Sequence, residues 1–152
     1  MLKDFLLASV HHLLAFGLVS MLVTESVLLA RPLDTPAMKR LAGVDRGLGI
    51  VATLLLVVGM WRVYGGIKGP DFYLHNPWFH AKLGAFLLAA LLSLWPTVRF
   101  LRWRRELKAD PSFVPSPADA AGLRRIVRFE LALVAVILVC AAAMARYGGL
   151  HL

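Results

Sequence analysis

Asn76-Pro77-Trp78-Phe79-His80-Ala81-Lys82-Leu83 is the stretch whose reading decides the fold. Asn76 can cap a helix, and Pro77 suits the first turn of one. Trp78 and Phe79 are side chains that favour the boundary between lipid and water. An apolar run follows to Val98, so the octet reads as the start of a membrane-spanning helix. Lys82 then lies about one turn inside, ~6–8 Å along the axis. A lysine at that depth is costly unless it snorkels outward, finds a partner or takes part in chemistry.

Outward from this stretch the chain shows three more apolar runs, at 5–30, 41–64 and 126–147. Each reaches the ~20 residues that a spanning helix needs. The first run is too long for the apolar core of a signal peptide and has no small-x-small cleavage site after it, so it reads as a retained helix. The expectation is an all-α integral membrane protein, an up-and-down bundle of four transmembrane helices at about 5–30, 41–64, 78–103 and 124–147. Pro96 is expected to kink the third helix or end it early. Residues 65–75, rich in glycine and aromatics, read as a loop folded back along the interface.

Composition agrees. Of 152 residues, 59% are hydrophobic, more than a soluble domain usually carries. The single cysteine, Cys140, excludes a disulfide within the chain and reads as buried filler. The net charge of +8 does not point to nucleic acid, because the basic residues cluster between apolar runs, where orientation and anionic lipid account for them. Twelve of the 17 lysines and arginines fall in the first and third connections. The positive-inside rule puts those connections in the cytoplasm and both termini outside.

This topology sorts the ionisable residues into two groups. The outward half holds His11, His12, Arg62, Tyr64, Lys68, Tyr73, His75, His80 and Lys82, and the inward half holds Glu25, Asp45, Ser93, Arg128 and Glu130. His11, ~9 Å along the first helix, matches Lys82 in depth. Two nitrogen donors from different helices at one level could clamp a metal or a planar ligand such as haem b. Lysine could do so only when deprotonated. Arg62, Tyr64 and Lys68 would suit the propionates of a porphyrin. The competing reading is snorkelling, with Lys82 reaching the headgroups and His11 or His12 polarising the interface. His11 and His12 point ~100° apart, and His11 shares a face with Glu25, which favours His11 as the inward one. In the inward group, Glu25 is expected to face protein as the counter-ion of Arg46, Arg99 or Arg128, with Asp45-Arg46 a charge pair at the start of the second helix. A proton path from Glu25 to the outer group is conceivable, but nothing in the sequence demands it.

Several segments together carry a resemblance. They are Leu29-Ala30-Arg31-Pro32, Arg62-Val63-Tyr64, Gly66-Ile67-Lys68-Gly69, Phe72-Tyr73-Leu74-His75-Asn76-Pro77, Lys82-Leu83 and Leu92-Ser93-Leu94-Trp95-Pro96-Thr97-Val98-Arg99-Phe100-Leu101-Arg102-Trp103. They resemble an uncharacterised family of bacterial four-helix membrane proteins, domain of unknown function family 2214. That resemblance implies an inner-membrane protein and no established activity. Trp78-Phe79-His80-Ala81-Lys82-Leu83 is also similar to a Trp-x-His-x-Lys-Leu pattern of the HemJ-like membrane protoporphyrinogen oxidases, whose first-helix histidine His11 or His12 could match. The second resemblance implies haem b binding. Where those oxidases carry a further Tyr-His pair, this chain has Leu92 and Ser93. The expected function is thus a haem-b-binding inner-membrane protein with an oxidoreductase or electron-transfer role. The alternative is a small carrier or assembly subunit without a cofactor. The expected partners are the lipid bilayer, haem or another porphyrin, and further copies of the chain as a homo-oligomer.

Overall fold

The computed structural model describes residues 2–146. Its helices are α1 (Leu2–Leu28), α2 (Thr35–Gly65), α3 (Gly69–Leu74), α4 (Pro77–Ala109) and α5 (Pro117–Arg146). α1, α2, α4 and α5 are each long and apolar enough to cross a membrane. The expected end of the last span at Tyr147 and Gly148-Gly149 lies outside the described residues.

The Asn76-Pro77 start of α4 is as expected, and two further caps start α2 and α5. Asn76 accepts a hydrogen bond from the Trp78 amide at 3.0 Å, and Pro77 is the first residue of α4. Asp34 caps α2 by accepting from the Ala37 amide at 2.8 Å. Ser116 accepts from the Asp119 amide at 3.1 Å, just before Pro117 opens α5. Between α4 and α5, the Ser112 amide and hydroxyl both donate to Asp110 Oδ1, at 2.9 and 2.6 Å, which tightens the turn and holds the Asp110 carboxyl below its ordinary range.

Of the two outcomes expected at Pro96, a kink or an early end, the early end does not occur: α4 continues for more than three turns beyond it, to Ala109. Proline is tolerated within spanning helices because neighbours can satisfy the backbone group it frees. Residues 65–75 are not all loop, since Gly69–Leu74 form α3. Gly69 makes that turn at φ +70°, a left-handed conformation that favours glycine.

α1 packs against α2 and α5, and α4 against α2 and α5, while the diagonal pairs do not pack. The result is a four-cornered up-and-down bundle. Only 11–17% of the residues in the apolar windows are buried, so most of the leucine, valine and phenylalanine surface faces outward. Leu13, Phe16, Leu91, Leu94 and Val139 are among these exposed side chains. In water such a surface would drive aggregation; in a bilayer it is the lipid contact.

Burial is uneven along the bundle. At the end carrying the first and third connections, Phe100, Trp103, Leu107, Leu123, Val127 and Leu41 form a dense core, with Phe100 and Trp103 ring centroids 5.6 Å apart. At the opposite end the buried cluster contains Val63, Tyr73 and Phe79. Between helices inside the lipid, apolar burial gives little net drive, and close approach at small residues matters more. Gly47 is such a site: a Cβ there would stand 3.1 Å from Met21 Cε.

Candidate functional site

Two of the cavities among the described residues lie between the long helices and carry the candidate residues. The first, about 100 Å³, is at the α3 end and is lined by His11, Arg62 and Lys82 together with Tyr73, Phe79, Phe86 and Met144. The Asn76 cap sets where α4 begins, and the helical rise then carries Lys82 to the level of His11. The His11 ring lies on the α2 backbone at Gly59, where an added Cβ would be 3.4 Å from Cε1. Its Nδ1 is buried without a hydrogen-bond partner among the described residues. The charges that act on His11 are those of Lys82, Arg62 and His12. Among the described residues no carboxylate lines this cavity.

The expected group around Lys82 is therefore assembled in part. His11, Arg62 and Lys82 are brought together. Tyr64 is 63% exposed and does not line the cavity. Lys68 also stands apart, its Nζ 4.3 Å from the Phe72 ring centroid, a cation–π contact on the surface. His12 faces the other way, as the ~100° step predicts; its Nδ1 donates to the Ala8 carbonyl at 2.6 Å. His80 is exposed and donates from Nε2 to the Leu74 carbonyl at 2.8 Å, joining α4 to the end of α3.

The second cavity, about 430 Å³, runs between all four long helices and is lined by His12, Asp45, Ser93, Thr97 and Glu130 among apolar side chains. Thr97 donates to Asp45 Oδ1 at 2.8 Å and Ser93 to Glu130 Oε2 at 3.4 Å. Glu130 is 2% exposed and its Oε1 has no partner among the described residues. Glu25 lies beside them, 1% exposed, also with an unpartnered Oε1.

Here the sequence expectation fails in an informative way. Glu25 faces protein, as expected, but the charges that act on it are Asp45 and Glu130, not an arginine. Arg46 and Arg128 are exposed, and Arg99 approaches Asp119 at 3.8 Å. Asp45 and Arg46 form no pair: Asp45 turns inward to Thr97 while Arg46 faces out. The physical reason is rotational. Adjacent residues on a helix point ~100° apart, so an inward aspartate sends its neighbour outward. Thr97 was the missed residue. It is one turn beyond Ser93, and that i, i+4 spacing was the signal that could have found it.

The two cavities share walls at Leu55, Phe86 and Ile137. An apolar layer thus separates a basic pocket from an acidic one. Among the described residues no group of three or more His, Cys, Asp or Glu is arranged to hold a metal ion.

Residues 3–149 match the family described as "Predicted membrane protein (DUF2214)". The chain belongs to that family. The match spans all four long helices, so basic pocket, apolar layer and carboxylate cavity all fall within the DUF2214 region. No curated protein and no solved structure matches the chain, and the likeness to membrane protoporphyrinogen oxidases rests on the quoted residues alone.

Proposed function

We propose that this membrane protein is a small carrier that moves protons across the bilayer, with Asp45 and Glu130 as the groups that bind and release them. The observation behind this reading is Glu130, a carboxylic side chain that lines a cavity within the spanning region and has one oxygen without a protein partner. Ionisable residues inside a bilayer are expensive and mark ion or proton pathways. Carboxylates that face one another without a cation repel, and a proton bound among them relieves the repulsion. Ser93 and Thr97 can pass a proton along because a hydroxyl both donates and accepts. Leu55, Phe86 and Ile137 act as the plug that prevents an open leak, and an apolar constriction of this kind gates by excluding water.

In this reading the protein sits in a bacterial inner membrane with the carboxylate cavity toward the cytoplasm and the Lys82 pocket outward. The support is the placement of Arg31, Lys39, Arg40, Arg99, Arg102, Arg104, Arg105 and Lys108 at the carboxylate end. Reporter fusions at Lys108 and at the C-terminus should read cytoplasmic and external; the reverse pattern inverts the carrier.

The main test uses purified protein in liposomes containing a pH-sensitive dye, with a potassium diffusion potential as driving force. Wild-type protein should acidify the lumen well above empty vesicles. The double variant Asp45→Asn/Glu130→Gln should fall to the empty-vesicle rate. A double variant that conducts like wild type removes the reading.

A second reading, haem b held by His11 and Lys82, has one observation behind it: both side chains line the same cavity, with Arg62 beside them. The cavity does not fit the group. Its volume of about 100 Å³ is below the ~300–1,000 Å³ typical of sites for ligands of that size. Tyr64 and Lys68 are not at its rim. An absorption spectrum of protein expressed with excess haem precursor decides the matter. A Soret band that shifts in Lys82→Met would establish the haem reading in place of the carrier, and a colourless protein would end it.

A further inference from the structure

Among the described residues, the Lys82 pocket gathers basic side chains and no carboxylate. Arg62 and Lys82 are both half-buried and point into one small cavity, with His11 on the facing wall. Among the described residues neither forms an ion pair. Two cationic side chains gathered on one void inside a spanning bundle, with a histidine beside them, repel one another and are poorly solvated. Snorkelling explains a lysine or arginine that reaches the headgroups, but it does not by itself explain two that line one cavity with a histidine.

We propose that this pocket binds a small anion between Lys82 and Arg62, with His11 completing the site. The volume sets the class. At about 100 Å³ the cavity lies well below the ~300–1,000 Å³ of sites that take drug-sized molecules, which suits a small ion such as chloride or nitrate. The donor set fits as well. Lysine supplies a compact point charge, arginine a planar fork that grips an oxyanion, and neutral histidine a single N–H. Tyr73 and Phe79 wall the site apolarly, which strengthens each charge-assisted hydrogen bond by excluding water. These residues are separate from Asp45 and Glu130, so the anion site can fail while the carrier reading stands, and the reverse.

The test is chloride binding to the full chain in zwitterionic detergent, read as line broadening in chlorine NMR and competed with nitrate. Wild-type protein should broaden the line, and nitrate should reverse it. Lys82→Met and Arg62→Gln should each weaken chloride binding about tenfold or more, the size expected when one charged hydrogen-bonding partner is lost. Lys82→Arg, which keeps the charge and folds under the same constraints, should retain most of it. Asp45→Asn/Glu130→Gln should bind chloride as wild type does. A lipid phosphate is an anion of the same chemistry: broadening that disappears on adding phosphatidylglycerol but not phosphatidylcholine assigns the site to the headgroup, and broadening that survives both assigns it to the free ion. Wild-type protein that binds neither chloride nor nitrate and gains no stability from phosphatidylglycerol overturns the proposal. So does chloride binding unchanged in both Lys82→Met and Arg62→Gln.

Discussion

The cavity at Lys82 and the cavity at Glu130 lie in one bundle of four long helices and share three wall residues, yet they differ in size, charge and hydrogen bonding. The first is about 100 Å³, basic, and has in His11 Nδ1 an orphaned ring nitrogen. The second is about 430 Å³, acidic, and its carboxylates are steadied by Thr97 and Ser93. Opposite charges that could have neutralised one another are instead kept apart by Leu55, Phe86 and Ile137. A bundle selected only for stability would gain from joining Lys82 to Glu130 directly or from replacing both with apolar side chains, since a buried charge without its partner costs several kcal/mol. Keeping the two sets separate is a stability cost that function explains and packing does not.

The separation is most easily broken at Phe86. Phe86→Ala removes the largest of the three shared wall side chains and opens the two cavities to each other. In the dye-loaded liposomes, proton influx should rise about tenfold, the effect of lowering a barrier by ~1.4 kcal/mol. Part of the cost would appear as lower stability, because truncating a packed phenylalanine leaves a void. Unchanged influx would show that the apolar layer is not on the proton's route.

Asn76→Ala sharpens the contrast from the other side. The side chain caps α4 and is completely buried. Losing an N-cap costs ~1 kcal/mol, and the fraying should be confined to the first turns of α4, which carry Phe79 and Lys82. Chloride binding should weaken several-fold while proton influx through Asp45 and Glu130 keeps its rate. Equal loss of both would mean that the two cavities form one cooperative unit.

How far the sequence could be read follows from the kind of signal each residue carries. Four spans were legible because hydrophobic length is a property of each segment alone. The start of α4 was legible for a similar reason: Asn76 and Pro77 act within one turn. The meeting of His11 with Lys82 required only equal depths along two helices and the preference for one face. Pairings across the bundle were less accessible. Glu25 could be seen to need protein around it, but whether it would meet Arg99 or Glu130 depends on helix rotation and on which helices occupy adjacent corners. The sequence contains that information only through the sum of all contacts. The same limit explains Tyr64 and Lys68: both lie near Arg62 in sequence, yet Tyr64 faces outward and Lys68 has turned onto Phe72.

Glu25 provides the finest test, because its neighbourhood was assigned oppositely by sequence and by structure. If an arginine paired with it, Glu25→Gln would strand a buried guanidinium and cost ~3–5 kcal/mol. With Asp45 and Glu130 as the neighbours, the same substitution strands no cation and removes whatever negative charge the three carboxyl groups would otherwise share. It also supplies an amide N–H₂ that can donate toward either carboxylate. A neutral donor facing a charged acceptor is worth ~1.5–3 kcal/mol where it forms, but burying the second amide proton without a partner costs a similar amount. The two nearly cancel, leaving relief of the repulsion as the net effect. Stability measured by thermal unfolding in detergent should therefore rise slightly or stay within ~1 kcal/mol of wild type. A loss of several kcal/mol would return the arginine partnership, give the carboxylate group a fixed counter-ion, and remove the reason for reading the second cavity as a proton site.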